Sequence, residues 1–313
     1  MPPTWLQRPA SLQADALAEV GWVLVFGAAV IFAITMVLLA LALRRGPKPR
    51  VPAAAWLVGG GLVFPATVLS ALMGYGVWRT AGLERPPPGA LVISVVGRPW
   101  WWEVHYRDPA GQRWFAAANE LRLPAGQAVH VGLGSHDVIH SLWVPELGGK
   151  MDLVPGRTNR LVVTAKAPGT FRGPCAEYCG TQHAHMVLTV VVMAPAEFER
   201  WLAREAASAA EPAGPDRALL QRGREAFGRH CSGCHVLRGV SEGPPLPVVL
   251  GPDLTHVGGR LHLAAGALPN SRAALARWIA DPQALKPGAR MPGFAYLGGD
   301  TVAALAAYLE SLR

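Results

Sequence analysis

At 313 residues the chain is long enough for about two domains. A composition that is 51% hydrophobic and only 16% charged, with a mean hydropathy of +0.23, excludes a wholly soluble protein and places part of the chain in lipid. The net charge of +8 and the isoelectric point near 9.8 do not argue for nucleic acid, because no basic stripe studded with aromatic residues accompanies them.

Trp22 to Leu43 carries no charge and exceeds the roughly 20 apolar residues that a bilayer core requires. Ala55 to Trp78 supplies a second span; its Gly59-Gly60-Gly61 and Pro65 are tolerated in membrane helices. The pair predicts a hairpin. The short loop between the spans holds Arg44, Arg45, Lys48 and Arg50 and no acid, which puts it in the cytoplasm and everything after Trp78 on the far side, together with the N-terminus. The first apolar run is too long for a secretory leader, and no small-residue cleavage site stands out after it.

Arg85-Pro-Pro-Pro-Gly89 makes a stiff exit from the second span. From Leu91 the pattern changes to short β-branched and aromatic runs between Gly and Pro turns: 91–96, 101–106, 128–133, 161–165 and 187–193. This predicts an all-β sandwich whose loops carry the chemistry. Trp100-Trp101-Trp102, read as one strand, must turn at least one ring away from the core, since successive side chains alternate faces.

Within Cys175-Ala-Glu-Tyr-Cys179-Gly-Thr-Gln-His183-Ala-His185-Met186 lie two thiols, imidazoles and a thioether, and a further imidazole stands upstream at His140. Such a concentration of soft and borderline donors points to copper, because zinc has no use for a thioether and a blue-copper site needs only one Cys. Two thiolates can bridge two copper ions, with one His terminal on each and Met186 and a backbone carbonyl as weak axial donors. A disulfide or redox pair, and a reversible copper-carrier site, are the other readings of Cys175 and Cys179, but neither accounts for His183 and Met186 at their offsets.

These residues resemble the CuA domain of subunit II of the haem–copper oxidases, whose motif Cys-x-Glu-x-Cys-x-x-x-His-x-x-Met is met at every position. The resemblance implies a cupredoxin-like domain in which Cys175 and Cys179 bridge, His140 and His183 are terminal, Met186 is axial and Glu177 offers its carbonyl. It also implies that the Glu177 carboxylate binds a magnesium ion at the boundary with subunit I, where Asp152 of Gly-Gly-Lys150-Met-Asp152 stands as a contact. Trp100 takes the position at which electrons from cytochrome c enter, although Pro99 replaces the family's usual Gln; sandwich packing or contact with subunit I is the alternative. His185 has no assigned role. One departure is that Val51-Pro-Ala-Ala-Ala-Trp-Leu-Val58 lacks the Glu found in many members near the mouth of a proton channel, which leaves proton uptake to a residue of another chain.

Glu197 to Ala207 is helical in propensity, and Ser208 to Pro215 is an Ala/Pro/Gly linker. Asp216 stands where it could cap a helix leading into Cys231-Ser-Gly-Cys234-His235, the attachment signature of a c-type haem. Gly251-Pro252, the Met291-Pro292 segment and a closing helix over Thr301–Leu312 follow in the order of a class I cytochrome c, which residues 216–313 resemble. The resemblance makes Cys231 and Cys234 the thioether links, His235 the proximal ligand and Met291 the sixth. His256 and His262 compete for that last place, and a zinc site is the alternative for the two thiols.

The chain thus divides into a hairpin over 1–84, a CuA domain over 85–196, a linker helix and linker over 197–215 and a cytochrome domain over 216–313. The whole resembles subunit II of a caa-type oxidase in a bacterial inner membrane. That implies electrons passing from a covalent haem c to binuclear copper and on to subunit I, where O2 becomes water, in a complex with subunits I and III and an upstream cytochrome c or other donor. The corresponding subunit of a CuA-containing nitric oxide reductase, and a tethered copper chaperone, are the other functional readings.

Overall fold

In the computed structural model residues 8–44, 46, 51–83, 85, 87–107, 113–244 and 248–313 are described, so Arg45, Lys48 and Arg50 of the basic loop lie outside the described residues. Helix α1, Leu12–Leu43, begins ten residues before the expected span. Ser11 caps it, accepting from the Ala14 N–H at 2.9 Å and donating to the Leu147 carbonyl at 2.6 Å. Asp15 and Glu19 keep its first turns out of the apolar run. Their small residues Ala14, Ala16 and Ala18 are instead buried, and Gln13 accepts from the Thr164 N–H of the β domain at 2.9 Å. A π-helical stretch, Ala55–Val63, continues into α2, Phe64–Thr80. The Tyr75 hydroxyl donates to Glu19 at 2.8 Å and Arg79 pairs with the same carboxylate, which ties the two helices together at one end. Beyond that tie their large apolar side chains are exposed, as lipid-facing or subunit-facing helices require.

The sandwich holds more strands than periodicity suggests. A five-stranded sheet runs in the order β3-β2-β1-β5-β8, built from Arg113–Ala118, Trp101–Arg107, Leu91–Arg98, Ala128–Ser135 and Asn159–Thr164. A three-stranded sheet, β4-β10-β9, comprises Glu120–Pro124, Val187–Met193 and Gly169–Pro174, and a small hairpin pairs β6, His140–Leu142, with β7, Met151–Leu153. The β1–β5 and β4–β10 pairs are parallel and the rest antiparallel. Ile93, Val95, Trp102, Val104, Tyr106, Val131, Leu133, Leu188 and Val190, all fully buried, fill the space between the sheets in the alternation that strand geometry imposes. Helix α3, Pro195–Ala206, closes one end by laying Trp201 edge-on to Tyr106 and Phe115. The architecture is cupredoxin-like.

The three tryptophans do not share a strand. Trp100 occupies the turn between β1 and β2 at φ 61°, Trp101 faces outward under the Arg98 guanidinium, and only Trp102 enters the core.

The C-terminal region is a small helical domain of α4 (Arg217–His230), α5 (Arg272–Ala280), α6 (Pro282–Leu285) and α7 (Gly299–Ser311), with the short pair β11 (His262–Leu263) and β12 (Leu268–Pro269). Helices α4 and α7 cross so closely that a Cβ at Gly223 would lie 2.2 Å from the Ala304 carbonyl oxygen. Their second core includes Phe227, Leu237, Leu275, Leu305 and Tyr308. Asp216 does not cap α4: its backbone sits near the helical region (φ −86°, ψ 10°) rather than extended, and its side chain makes no bond to the first turn.

Candidate metal centres

His140 opens β6 and is completely buried. Its Nε2 lies 2.9 Å from Asp137 Oδ1, which leaves Nδ1 facing Cys175 Sγ at 3.9 Å. The Trp102 ring stands 6.1 Å away, and its cross-strand partner Gly97 of β1 lies so near that a Cβ there would come within 2.5 Å of the imidazole. Cys175 follows the end of β9; its N–H donates to the Met186 carbonyl, and the Ala176 N–H to Ser141, so the ligand loop is laced to both β6 and the start of β10.

The two sulfurs are 3.9 Å apart, far beyond the roughly 2.05 Å of a disulfide, and both are buried. Cys179 Sγ has His183 Nδ1 at 3.6 Å and the fully buried Met186 Sδ at 3.8 Å, while the Glu177 carbonyl oxygen lies 3.2 Å from Cys175 Sγ. His140, Cys175, Cys179 and His183 therefore form a chain with an imidazole at each end and the thiols in the middle. The hydrogen bond between the sulfurs pulls Cys175 well down against the cost of burial, with His140 adding to the pull, and the same bond raises Cys179. Burial disfavours charge on His140, but its bonds to Cys175 and Asp137 outweigh that and raise it. A pair of thiols already sharing a proton at an anionic midpoint, flanked by imidazoles, a thioether and a carbonyl, is a donor set that fits copper.

The Glu177 carboxylate points away from this chain of donors. It lies 3.6 Å from Lys150 Nζ, which is paired with Asp152 at 3.0 Å. His185 is exposed and bonded to Gln182 at 2.8 Å, outside the cluster. The Trp100 indole N–H donates to the Cys179 carbonyl at 2.9 Å, so this side chain touches the ligand loop directly.

In the helical domain, α4 ends at Cys231, and the N–H groups of Cys234 and His235 both donate back to the Cys231 carbonyl. The His235 Nδ1 donates to the Pro252 carbonyl at 2.8 Å, which directs the lone pair to Nε2. Burial lowers its pKa and favours the neutral ring that can ligate. Gly251 makes room for it: a Cβ there would sit 2.6 Å from His235 Cε1. Both cysteines are free, Cys234 exposed and Cys231 partly buried, as attachment to a prosthetic group requires. Met291 packs on the helical core near Phe294 and Leu297. The competing histidines are engaged elsewhere: His256 bonds the Ala207 carbonyl at 3.1 Å, and His262 bonds Thr189 at 3.4 Å. Among the described residues the two cysteines have no further cysteine partners for zinc.

Two residues around these centres escape the motifs, Gly97 and Asp137, and of these Asp137 leaves a trace as a carboxylate three residues before His140. Gly251 and Pro252 stand in the cytochrome order, but their contacts with His235 do not show in the sequence.

The family described as cytochrome c oxidase subunit II, periplasmic domain, matches residues 108–193, and the cytochrome c family matches residues 220–313. Cytochrome c oxidase subunit 2 of Alkalihalophilus pseudofirmus is 37% identical over 224 residues, 71% of this chain and 61% of that one. The subunit 2 of Bacillus sp. strain PS3 is 32% identical over 230 residues, 71% and 62% respectively. The chain thus spans about six tenths of the length of these relatives. The crystal structure of the periplasmic domain of subunit II of cytochrome oxidase from Bradyrhizobium japonicum is 30% identical and aligns with 39% of this chain and 96% of its own, at a TM-score of 0.36. Two apolar helices, a region that matches the subunit II periplasmic domain and a region that matches cytochrome c together imply a membrane protein using copper and haem c, and make this chain similar to the cytochrome c oxidase subunit 2 relatives over 71% of its own length.

Proposed function

We propose that this chain is the electron-transfer subunit of a haem–copper terminal oxidase in a bacterial inner membrane, with its N-terminus and both folded domains on the periplasmic side. When bound, a covalent haem c and a binuclear CuA centre supply the one-electron carriers by which electrons reach subunit I, where O2 is reduced to water. The hairpin, CuA domain, linker and cytochrome domain divide near residues 84, 196 and 215. Subunits I and III and an upstream cytochrome c or similar donor are its partners.

The observation that carries this reading is the line of donors His140, Cys175, Cys179 and His183, with successive contacts of 3.9, 3.9 and 3.6 Å. Two thiols with an imidazole beside each, and a thioether and a carbonyl besides, offer more donors than a single ion needs, since His140, Cys175 and Cys179, all within 4.8 Å of one another, would already supply three of a tetrahedral four. Cys175, Cys179, His140 and His183 would be the principal residues holding the copper, with Met186 and the Glu177 carbonyl as weaker donors. Asp137 holds the His140 ring with Nδ1 toward Cys175, where it would be free to ligate. Trp100 sits where an electron would enter the ligand loop. In the cytochrome domain Cys231 and Cys234 would attach the haem, and His235, through Nε2, and Met291 would hold its iron. The Glu177 carboxylate and a magnesium ion belong to the contact with subunit I, where Lys150 would have to yield its place beside that carboxylate.

The test is low-temperature electron paramagnetic resonance of the full-length, copper-loaded, oxidised chain. Hyperfine structure from one unpaired electron shared equally by two copper nuclei is expected. A single-copper pattern, or copper removed by a mild chelator, overturns the proposal in favour of a copper carrier.

A further inference from the structure

Lys286, which follows α6 in the helical domain, is 4% exposed, and no carboxylate pairs with it among the described residues. Its ammonium group instead donates to three carbonyls: Trp100 at 2.7 Å, His185 at 2.8 Å and Ala264 at 3.2 Å. An ammonium has three N–H donors, and each is used. The first two acceptors belong to the copper-type domain, where Trp100 bonds the Cys179 carbonyl and His185 precedes Met186. Only the third is in the domain that carries the lysine.

The surroundings of this group form one face. Gln182 Nε2 donates to the Pro287 carbonyl at 2.6 Å, and the Val187 N–H donates to the Ala265 carbonyl at 3.0 Å. Gly266 and Gly288, both at positive φ, let the helical domain approach: a Cβ at Gly266 would lie 2.9 Å from Val187, and one at Gly288 would lie 3.7 Å from the Trp100 ring. Segments 264–266 and 286–288 thus lie on residues 100, 182 and 185–187, against the loop that holds the copper-type donors. Enclosing an ammonium without a carboxylate partner is costly, and an apolar side chain of similar length would fill the volume at less cost. What the apolar side chain lacks is direction. Three carbonyls on three segments, met by one tetrahedral donor, set the register of the two domains. Burial pushes the Lys286 pKa down to about 8, which leaves it charged at neutral pH.

We propose that Lys286 is a positioning residue for electron transfer: it latches the cytochrome domain onto the copper domain and fixes Trp100 between them. The proposal rests on the electron-transfer reading above. It also gives Trp100 an intramolecular setting in this chain, since the surface beside its ring is occupied by the chain's own residues 286–288.

The test uses Lys286→Met and, as a milder probe of the same face, Gln182→Met, in the full-length chain. Hydrogen exchange followed by mass spectrometry needs no bound cofactor. In Lys286→Met the amides of 185–187 and 264–266 should exchange about tenfold or more faster, with the strand cores and α4–α7 unchanged and Gln182→Met intermediate. In the copper- and haem-loaded chain, photoreduction of the haem should be followed by slower reduction of copper, by about tenfold, and the rate should become sensitive to solvent viscosity as docking becomes the gate. The haem absorbance and the copper resonance should stay as in the parent chain. Unchanged exchange and an unchanged transfer rate overturn the latch, and so does a loss of protection throughout the helical domain, which would make Lys286 a residue of that domain's own fold. Failure of the parent chain to show the two-nucleus copper signal would instead sink the electron-transfer reading and leave the exchange result to stand by itself.

Discussion

Replacing Gly97 with alanine should disturb the copper-type centre from behind. Gly97 lies on β1 between Trp102 of β2 and Ser135 of β5, and an added Cβ would meet His140 Cδ2 at 2.5 Å and Cγ at 2.8 Å. Carbon atoms in contact settle at about 3.5–4.0 Å, so the imidazole or the strand must shift by about 1 Å. The ring has nowhere to go: it is fully buried, bonded to Asp137 and flanked by Trp102. Overpacking of this kind costs about 1–3 kcal/mol, or several degrees of Tm in a domain of this size. Gly132→Ala is the control, because its Cβ would meet nothing closer than 3.7 Å and should leave stability level or slightly raised. Thermal unfolding by circular dichroism measures the first effect in the metal-free chain, and the copper resonance measures the second in the loaded one. Equal stability of the two variants, with an unaltered copper signal, would refute the claim that Gly97 sets the position of His140.

Other consequences can be measured in the same way. Glu103 is buried with Arg98 at 2.6 Å and His105 at 3.4 Å; burial works against its ionisation, but these partners prevail and hold its carboxyl at about 2, below the usual 4.5. Its contribution is complete above pH 4.5 and fades as the pH falls toward 2, amounting to about 3 kcal/mol, so the acid limb of urea unfolding should flatten in Glu103→Gln. Met186→Leu conserves volume in a fully buried site and should cost less than about 1.5 kcal/mol, yet it should shift the copper reduction potential in a redox titration. Gly223→Ala would drive a Cβ to 2.2 Å from the Ala304 carbonyl; we expect the α4–α7 pair to separate, costing about 3 kcal/mol or more and leaving the β domain's unfolding transition in place.

The metal-type residues were legible because ligand chemistry forces unusual residue types into fixed local spacing. Cys175 through Met186 and Cys231 through His235 each lie in one loop or turn, and only His140 and Met291 had to be found at a distance. The hairpin was legible from length and charge. What the pattern missed depends on packing. The strands β6 and β7 are three residues each, too short for any alternation to register, and β9, Gly169–Pro174, begins with Gly and ends in Gly-Pro. The first turns of α1 are polar enough to fall outside a hydropathy window but small enough to dock on the sandwich. Trp100 reads as strand because aromatic residues favour strands, whereas it occupies a left-handed turn. Lys286 carries no sequence signal at all, because its acceptors are backbone carbonyls of residues far away in the chain.

Helix α1 runs unbroken for 32 residues, about 48 Å at 1.5 Å per residue, while the hydrocarbon core of a bilayer is about 30 Å thick. The surplus is not a tether. Its outer turns are capped by Ser11, pinned at Gln13 and Asp15, and packed on β8 and on the loop over 147–149. The sandwich is therefore mounted on a rigid mast, with the chain leaving α2 as its second stay. Tilting α1 in the membrane must tilt the sandwich with it, so the height and attitude of the thiol pair above the bilayer follow from helix geometry, and a neighbouring membrane subunit that grips α1 also aims the copper domain.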